Sequence, residues 1–212
     1  MGLGKLLHSH REHADEGGVI ERPRAYEVVA ELAYLGGRRA AFTRLAAAAR
    51  PRPGDRVLDV GCGTGYLSRI LSPVSGHVTG LDPSPAMIAH ATERAPSNCT
   101  YVVGEGQDLP FPDGSFDLVV SSLAMHHMPR EARPEALRQM FRVLRPGGRL
   151  LIAEFSPPSG HLARRLVGLL TGPAMRHDPH ELLGSMIPDA GFQVTDEGRL
   201  PHLMYYVRAT RP

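Results

Sequence analysis

Apolar runs of strand length recur at regular intervals through the middle of the chain, at Arg56–Val60, His77–Leu81, Thr100–Val103, Asp117–Ser121 and Arg149–Phe155. Each is almost continuously apolar, the pattern of strands covered on both faces. Between them lie segments of helical spacing, Tyr66–Leu71, Pro85–Arg94 and Arg133–Leu144. The alternation predicts a mostly parallel sheet with helices on both faces. Before it, Ala25–Ala49 is rich in Ala, Leu, Val and Arg, with Gly36-Gly37 breaking it into two helices. After it come a Pro/Gly-punctuated insert at Ser156–Pro179, a helix near His180–Ala190, and short strands at Phe192–Asp196 and Leu203–Ala209. The link through Gly198 and Pro201 predicts an antiparallel hairpin at the sheet edge. The fold expected is α/β, Rossmann-like, with seven strands. Residues 1–52 form a tail and helical lid, and residues 53–212 form the body of a single domain.

Composition narrows the function classes. At 212 residues the chain suits one core, and 42% hydrophobic with 22% charged residues is ordinary for a globular protein. A net charge of +2 without a basic cluster gives no electrostatic case for nucleic acid or an acidic membrane surface. Cys62 and Cys99 are too few for a disulfide framework. Met1–Arg24 is polar and lacks the apolar stretch of a signal peptide. No apolar run nears the ~18–20 residues of a membrane span, and His161–Thr171 is too short to cross one. The expectation is a cytoplasmic monomer or homodimer.

The chemistry concentrates at VLDVGCGTGYLS, residues 57–68, where a strand gives way to three alternating glycines and then a helix. Such glycines permit positive φ and let a ligand approach backbone N–H groups. Dinucleotide loops share that logic, but the spacing here is G-x-G-x-G, and Asp59 sits where a pyrophosphate would lie. A carboxylate beside pyrophosphate costs on the order of a kcal/mol or more. S-adenosylmethionine carries an ammonium and a sulfonium instead, which a carboxylate favours. Asp82, 21 residues after Gly61 at the tip of the next strand, is placed to accept from both ribose hydroxyls. Its alternative is to cap the following helix.

The strings VLDVGCGTGYLS, GLDPSPAMIAHA, GEGQDLPFPDGSFDLVVSSLAMHHM and LRPGGRLLIAEF resemble the successive motifs of the methyltransferase-11 type of class I S-adenosylmethionine-dependent methyltransferases. The resemblance spans about residues 53–155. It implies that Gly61 and Gly63 line the methionine end of the cofactor with Asp59 near its ammonium, and that Pro83 and Met87 flank adenine. Gly104–Gln107 matches a turn where the family often has G-D-A-E. Glu105 would accept from the adenine amine beside Gly106 and Gln107, although Glu and Gly replace the usual Asp and Ala, and Asp108 is an alternative acceptor. Ser121 and Ser122 would lie under the sulfonium. No metal is implied.

Methyl transfer is an in-line displacement, in which holding the nucleophile about 3–3.5 Å from the methyl supplies much of the acceleration. A base is needed only for a protonated acceptor. His126 and His127 follow the fourth strand at the ligand-binding edge and suit that role, or else a packing one. Tyr26 in the lid either reaches the cofactor or packs. His8, His10 and His13 have metal-like spacing in a polar terminus, where disorder is the plainer reading, and His177 and His180 flank a helix start. Glu154 closes the fifth strand as a further pocket candidate. The chain lacks the Asp/Asn-Pro-Pro-aromatic motif of DNA amine methyltransferases, the paired glutamates of arginine methyltransferases and the clustered carboxylates of magnesium-dependent catechol enzymes. The expectation is methylation of a small acceptor. Leu162, Leu166, Leu169, Leu170 and Met175 in the insert suggest an apolar one: a quinol, lipid or secondary metabolite. The rivals are a cofactor-binding protein that does not methylate and, opposed by Asp59, a nicotinamide enzyme.

Overall fold

The apolar runs pair side by side in a computed structural model that describes residues 22–156, Pro179 and residues 183–212. The strands are β1 (Arg56–Val60), β2 (His77–Asp82), β3 (Cys99–Val103), β4 (Phe116–Ser122), β5 (Leu144–Phe155), β6 (Gln193–Leu200) and β7 (Met204–Thr210). They form one seven-stranded sheet in the order β3-β2-β1-β4-β5-β7-β6. β1 pairs in parallel with β2 and β4, and β4 with β5, whereas β7 runs antiparallel to both β5 and β6. The order reverses between β1 and β4. At such a switch point the connections leave on opposite faces, and a crevice opens at the carboxyl ends of the strands.

Helices α1 (Pro23–Ala33) and α2 (Arg38–Ala49) precede the sheet, and α3 (Tyr66–Leu71), α4 (Pro85–Thr92), α5 (Arg133–Val143) and α6 (Met186–Asp189) follow its strands. Alternate residues of each central strand feed opposite cores. Leu58, Val60, Val119 and Ile152 pack with Leu137 and Met140 of α5. Val57, Leu118, Val120 and Leu151 pack with Leu45 of α2 and Leu67 of α3. The break between α1 and α2 falls at Leu35 and Gly36, with φ of 49° and 77°, as the Gly36-Gly37 pair predicts.

Two details depart from the expected elements. The fifth strand, expected over Arg149–Phe155, begins earlier, at Leu144, so that the segment Arg145–Gly148 belongs to β5. An irregularity in the β4–β5 register accommodates it, and backbone bonds from Gly147 N to Arg211 O and from Arg211 N to Gly148 O hold it to the C-terminal end. In addition, no residue of α1 is buried, so this helix lies on the surface of the body. Tyr34, after its end, contacts the β6–β7 turn through the His202 ring at 5.4 Å and Met204 Sδ at 3.6 Å. His8, His10, His13, His177 and His180, and the apolar residues of the insert from Leu162 to Met175, lie outside the described residues.

Candidate functional site

The glycine loop closes on the end of β2. Gly61, Gly63 and Gly65 have φ of 73°, 53° and 72°, a region that costs any other residue about 1–2 kcal/mol. A Cβ on Gly61 would collide with the Ala124 Cβ, and one on Gly65 would lie 2.5 Å from the Tyr101 hydroxyl. At Gly63 nothing lies within 4 Å, so its Cα side is open. The expectation that the loop offers its N–H groups to a ligand is corrected by the bonds they make. Those of Gly61 and Cys62 donate to Leu81 O at 2.8 and 3.0 Å, and that of Gly65 donates to Cys62 O at 2.9 Å. The glycines therefore serve close backbone approach, and negative charge in the site comes from side chains.

Asp59 and Asp82 provide it. Asp59 is 1% exposed and accepts from the Ser68 hydroxyl at 2.6 Å. Burial pushes its carboxyl up to about 7, the neighbouring Asp82 adds to the rise, and the Ser68 bonds oppose it. Asp82 Oδ2 accepts from Gly63 N and Oδ1 from Ser84 N, both at 2.9 Å. Burial raises its pKa and those two bonds lower it. The N-cap of α4 is Ser84, whose hydroxyl accepts from Met87 N at 3.3 Å. That removes the capping alternative for Asp82, which instead joins the glycine loop to the start of α4, half-buried at the sheet edge. Two carboxylates held against desolvation favour a cationic ligand.

The expected adenine residues lie beside Asp82. Pro83 is exposed and Met87 is buried. In the 104–107 turn, Gly104 N donates to Asp82 O at 3.1 Å, and a Cβ on Gly106 would stand 2.8 Å from Met128 Cε. Glu105 is exposed, with Gln107 Nε2 donating to its carboxylate at 2.5 Å. Ser121 is fully buried, and its hydroxyl donates to Val60 O at 2.9 Å, a tie between β4 and β1 rather than a group turned to a ligand. Its neighbour Ser122 has the hydroxyl left buried without a partner.

His126 and His127 sit on a short 3-10 turn, Met125–His127, between the glycine loop and the 104–107 turn, with rings 4.1 Å apart. Glu154 of β5, 2% exposed, bonds the first of them at 2.6 Å, Nδ1 to Oε2, and accepts Met125 N on its other oxygen at 2.8 Å. A carboxylate only accepts, so Nδ1–H is the donor of this bond and the ring is held by it. Arg133 of α5 holds the same turn by donating to the carbonyls of Met128 and His126 at 3.0 and 3.4 Å.

Tyr26 of α1 is brought to this edge. It is half-buried; desolvation raises its phenol pKa, Arg38 lowers it, and Asp82 and Glu27 raise it, so the ring lies within electrostatic reach of all three. Sequence reasoning named Tyr26 and missed its neighbour. Glu27 Oε1 accepts from the Thr64 hydroxyl of the glycine loop at 2.7 Å and faces Arg38 and Arg69 at 3.6 and 4.0 Å. Its charge among the arginines of residues 22–52 was the available signal. Among the described residues no three His, Cys, Asp or Glu side chains group as a metal site, and no helix is long and apolar enough to cross a membrane.

The open Cα side of Gly63, the two carboxylates and the unpartnered Ser122 hydroxyl fit a small cationic cofactor. Known proteins resemble this chain in sequence and fold. The methyltransferase-domain family matches residues 57–148. The ubiquinone/menaquinone biosynthesis C-methyltransferase UbiE of Vibrio parahaemolyticus is 34% identical over 174 residues, covering 68% of this chain and 66% of that protein, just short of two thirds. An uncharacterized methyltransferase of Synechocystis is 36% identical over 146 residues, covering 67% of this chain and 68% of its own length. A SAM-dependent methyltransferase structure from Aquifex aeolicus superposes with a TM-score of 0.71 at 20% identity, over 90% of this chain and 99% of that one, a likeness of fold.

Proposed function

The chain belongs to the class I S-adenosylmethionine-dependent methyltransferases, and from that premise we propose that it methylates a small quinol-like acceptor in the cytoplasm. The observation that carries the reading is the pair of carboxylates, buried Asp59 and half-buried Asp82, at the glycine loop where the strand order reverses. A phosphate-bearing cofactor would meet their repulsion, and a sulfonium with an ammonium meets their attraction. When bound, S-adenosylmethionine supplies a methyl group already activated for displacement.

The protein's own contribution is placement and proton transfer. Asp59 faces the ammonium, and Asp82, oriented by Gly63 N and Ser84 N, receives the ribose hydroxyls. Met87 and the turn around Glu105, Gly106 and Gln107 border the adenine. His126, with Glu154 holding its ring through Nδ1–H, takes the proton of an acceptor hydroxyl through Nε2, an effect worth about 10²–10⁴-fold. Glu154 acts through His126 as a positioning residue. Tyr26, on α1, borders the edge, so α1 and α2 serve as the lid to the body that carries the sheet. The name of the Vibrio relative supports a ring of the ubiquinone or menaquinone type as acceptor, in keeping with the apolar residues of the 156–179 insert.

The test supplies purified protein with S-adenosylmethionine and a reduced naphthoquinol or benzoquinol that lacks its ring methyl. The expected result is equal amounts of S-adenosylhomocysteine and a product heavier by one methyl. Cofactor binding without product from any quinol would overturn the acceptor assignment.

A further inference from the structure

Arg38 is 3% exposed, yet its guanidinium lacks the partners such burial demands. Its Nε is buried without a hydrogen bond. The carboxylate facing it, Glu27 Oε1, stands 3.6 Å from Nη1, beyond hydrogen-bonding distance. That oxygen already accepts from the Thr64 hydroxyl at 2.7 Å and faces Arg69 at 4.0 Å. Arg149, buried to 8% exposure, also has an Nε without a partner, but its two terminal nitrogens donate to Arg50 O and to Asp55 Oδ2, bonds that have no counterpart at Arg38. Leaving a buried guanidinium without in-plane acceptors is costly, so the site calls for an anion.

The surroundings specify which kind. The flat faces of Arg38 are covered by rings, with Cζ 3.8 Å from the Tyr66 centroid, 5.8 Å from Phe42 and 5.9 Å from Tyr26. Rings stabilise the charge but accept none of its in-plane N–H donors. A guanidinium stacked this way presents an edge that matches a carboxylate. Tyr66 opens α3 directly after the glycine loop, and Tyr26 lies within reach of both Arg38 and Asp82. Arg38 thus borders the same site as the two carboxylates and carries the opposite charge.

We infer that Arg38 binds the carboxylate of the methionyl end of S-adenosylmethionine. The methionyl end is a zwitterion: Asp59 matches its ammonium and Arg38 its carboxylate. Arg38 is therefore a cofactor-binding residue donated by the helical lid, and Glu27 holds α1 against the loop while the carboxylate is bound. The inference rests on the cofactor proposed above.

Calorimetric titration with S-adenosylhomocysteine and its decarboxylated analogue tests it, because the two ligands differ in the carboxylate alone. The wild-type protein should bind S-adenosylhomocysteine about 10- to 100-fold more tightly, the range of hydrogen bonds to a charged group. Arg38→Gln should abolish that ratio while affinity for the analogue stays within about twofold of wild type. Thermal melting establishes that the variant is folded. If it is not, Arg38→Lys, which keeps the charge and loses the fork, should retain part of the ratio. Equal wild-type affinity for both ligands would overturn the assignment of Arg38 while leaving the cofactor in place. A variant that loses both ligands equally would mark Arg38 as a structural strut and overturn it too. Failure of the wild-type protein to bind either ligand would overturn the cofactor reading itself.

Discussion

Asp59 makes cofactor affinity depend on pH. Its carboxyl is pushed up to about 7 by burial and by Asp82, against the bonds from Ser68, so near neutrality the free protein carries the proton about half the time. An ammonium brought beside it favours the ionised form. If the ligand binds only that form, apparent affinity is the intrinsic value reduced by the ionised fraction. The loss is about tenfold at pH 6 relative to pH 7.5, steepening to about tenfold per pH unit below that. Calorimetry with S-adenosylhomocysteine from pH 5.5 to 7.5, in buffers of different ionisation enthalpy, reads both the affinity and the proton released on binding. Asp59→Asn should bind weakly at every pH, with a flat profile and no proton release. Folding stability should move the other way. Because the folded pKa lies above the ordinary 3.8, the folded protein keeps a proton that the unfolded chain loses. Stability from this group therefore falls as pH rises from about 4 to 7, by up to about 4 kcal/mol. Unliganded Asp59→Asn should accordingly be the more stable protein at pH 7.5. A flat wild-type binding profile, or a slope that survives in Asp59→Asn, would refute the reasoning.

Other perturbations separate the remaining roles. Asp82→Ala should weaken S-adenosylhomocysteine binding at least about tenfold by calorimetry, the loss of hydrogen bonds to a charged acceptor; unchanged affinity would remove the ribose assignment. His126→Asn should lower kcat about 10²–10⁴-fold with cofactor affinity retained. Glu154→Gln should do so less severely and displace the acidic limb of the pH–rate profile, and an unmoved profile would reduce the pair to a clamp on the β4–α5 connection. Gly63→Ala, at φ 53° with open space around it, should cost about 1–2 kcal/mol in chemical denaturation. Gly61→Ala should cost more, because its methyl collides with Ala124, and equal costs would contradict the packing described.

What the sequence revealed and what it hid divide along a physical line. The strand β1, the three glycines and Asp82 at the end of β2 were legible because each depends on local pattern: an apolar run, a turn requiring positive φ, and a period set by one crossover. The two helices before the sheet were legible for the same reason. The fate of the loop N–H groups was not, because it rests on the parallel register that brings Leu81 O opposite Gly61 and Cys62. Ser121 looked pocket-facing from its place at a strand end, but the alternation of β4 turns its hydroxyl to Val60 O. The Tyr66 ring over Arg38, the bond from Thr64 to Glu27 and the bond from His126 to Glu154 join residues far apart in sequence, and no local spacing announces them. The capping alternative for Asp82 rested on a real signal, a polar residue before Pro85, and the neighbouring Ser84 took that role instead.

The measurement that bears most directly on the account is transfer of labelled methyl from S-adenosylmethionine into a host extract, separated into organic-soluble, protein and nucleic-acid fractions. The account predicts label in the organic-soluble fraction, lost in the Asp82→Ala variant. Label confined to protein or nucleic acid would contradict it, as would the absence of label from every fraction of an extract that contains reduced, unmethylated quinone, with cofactor binding intact.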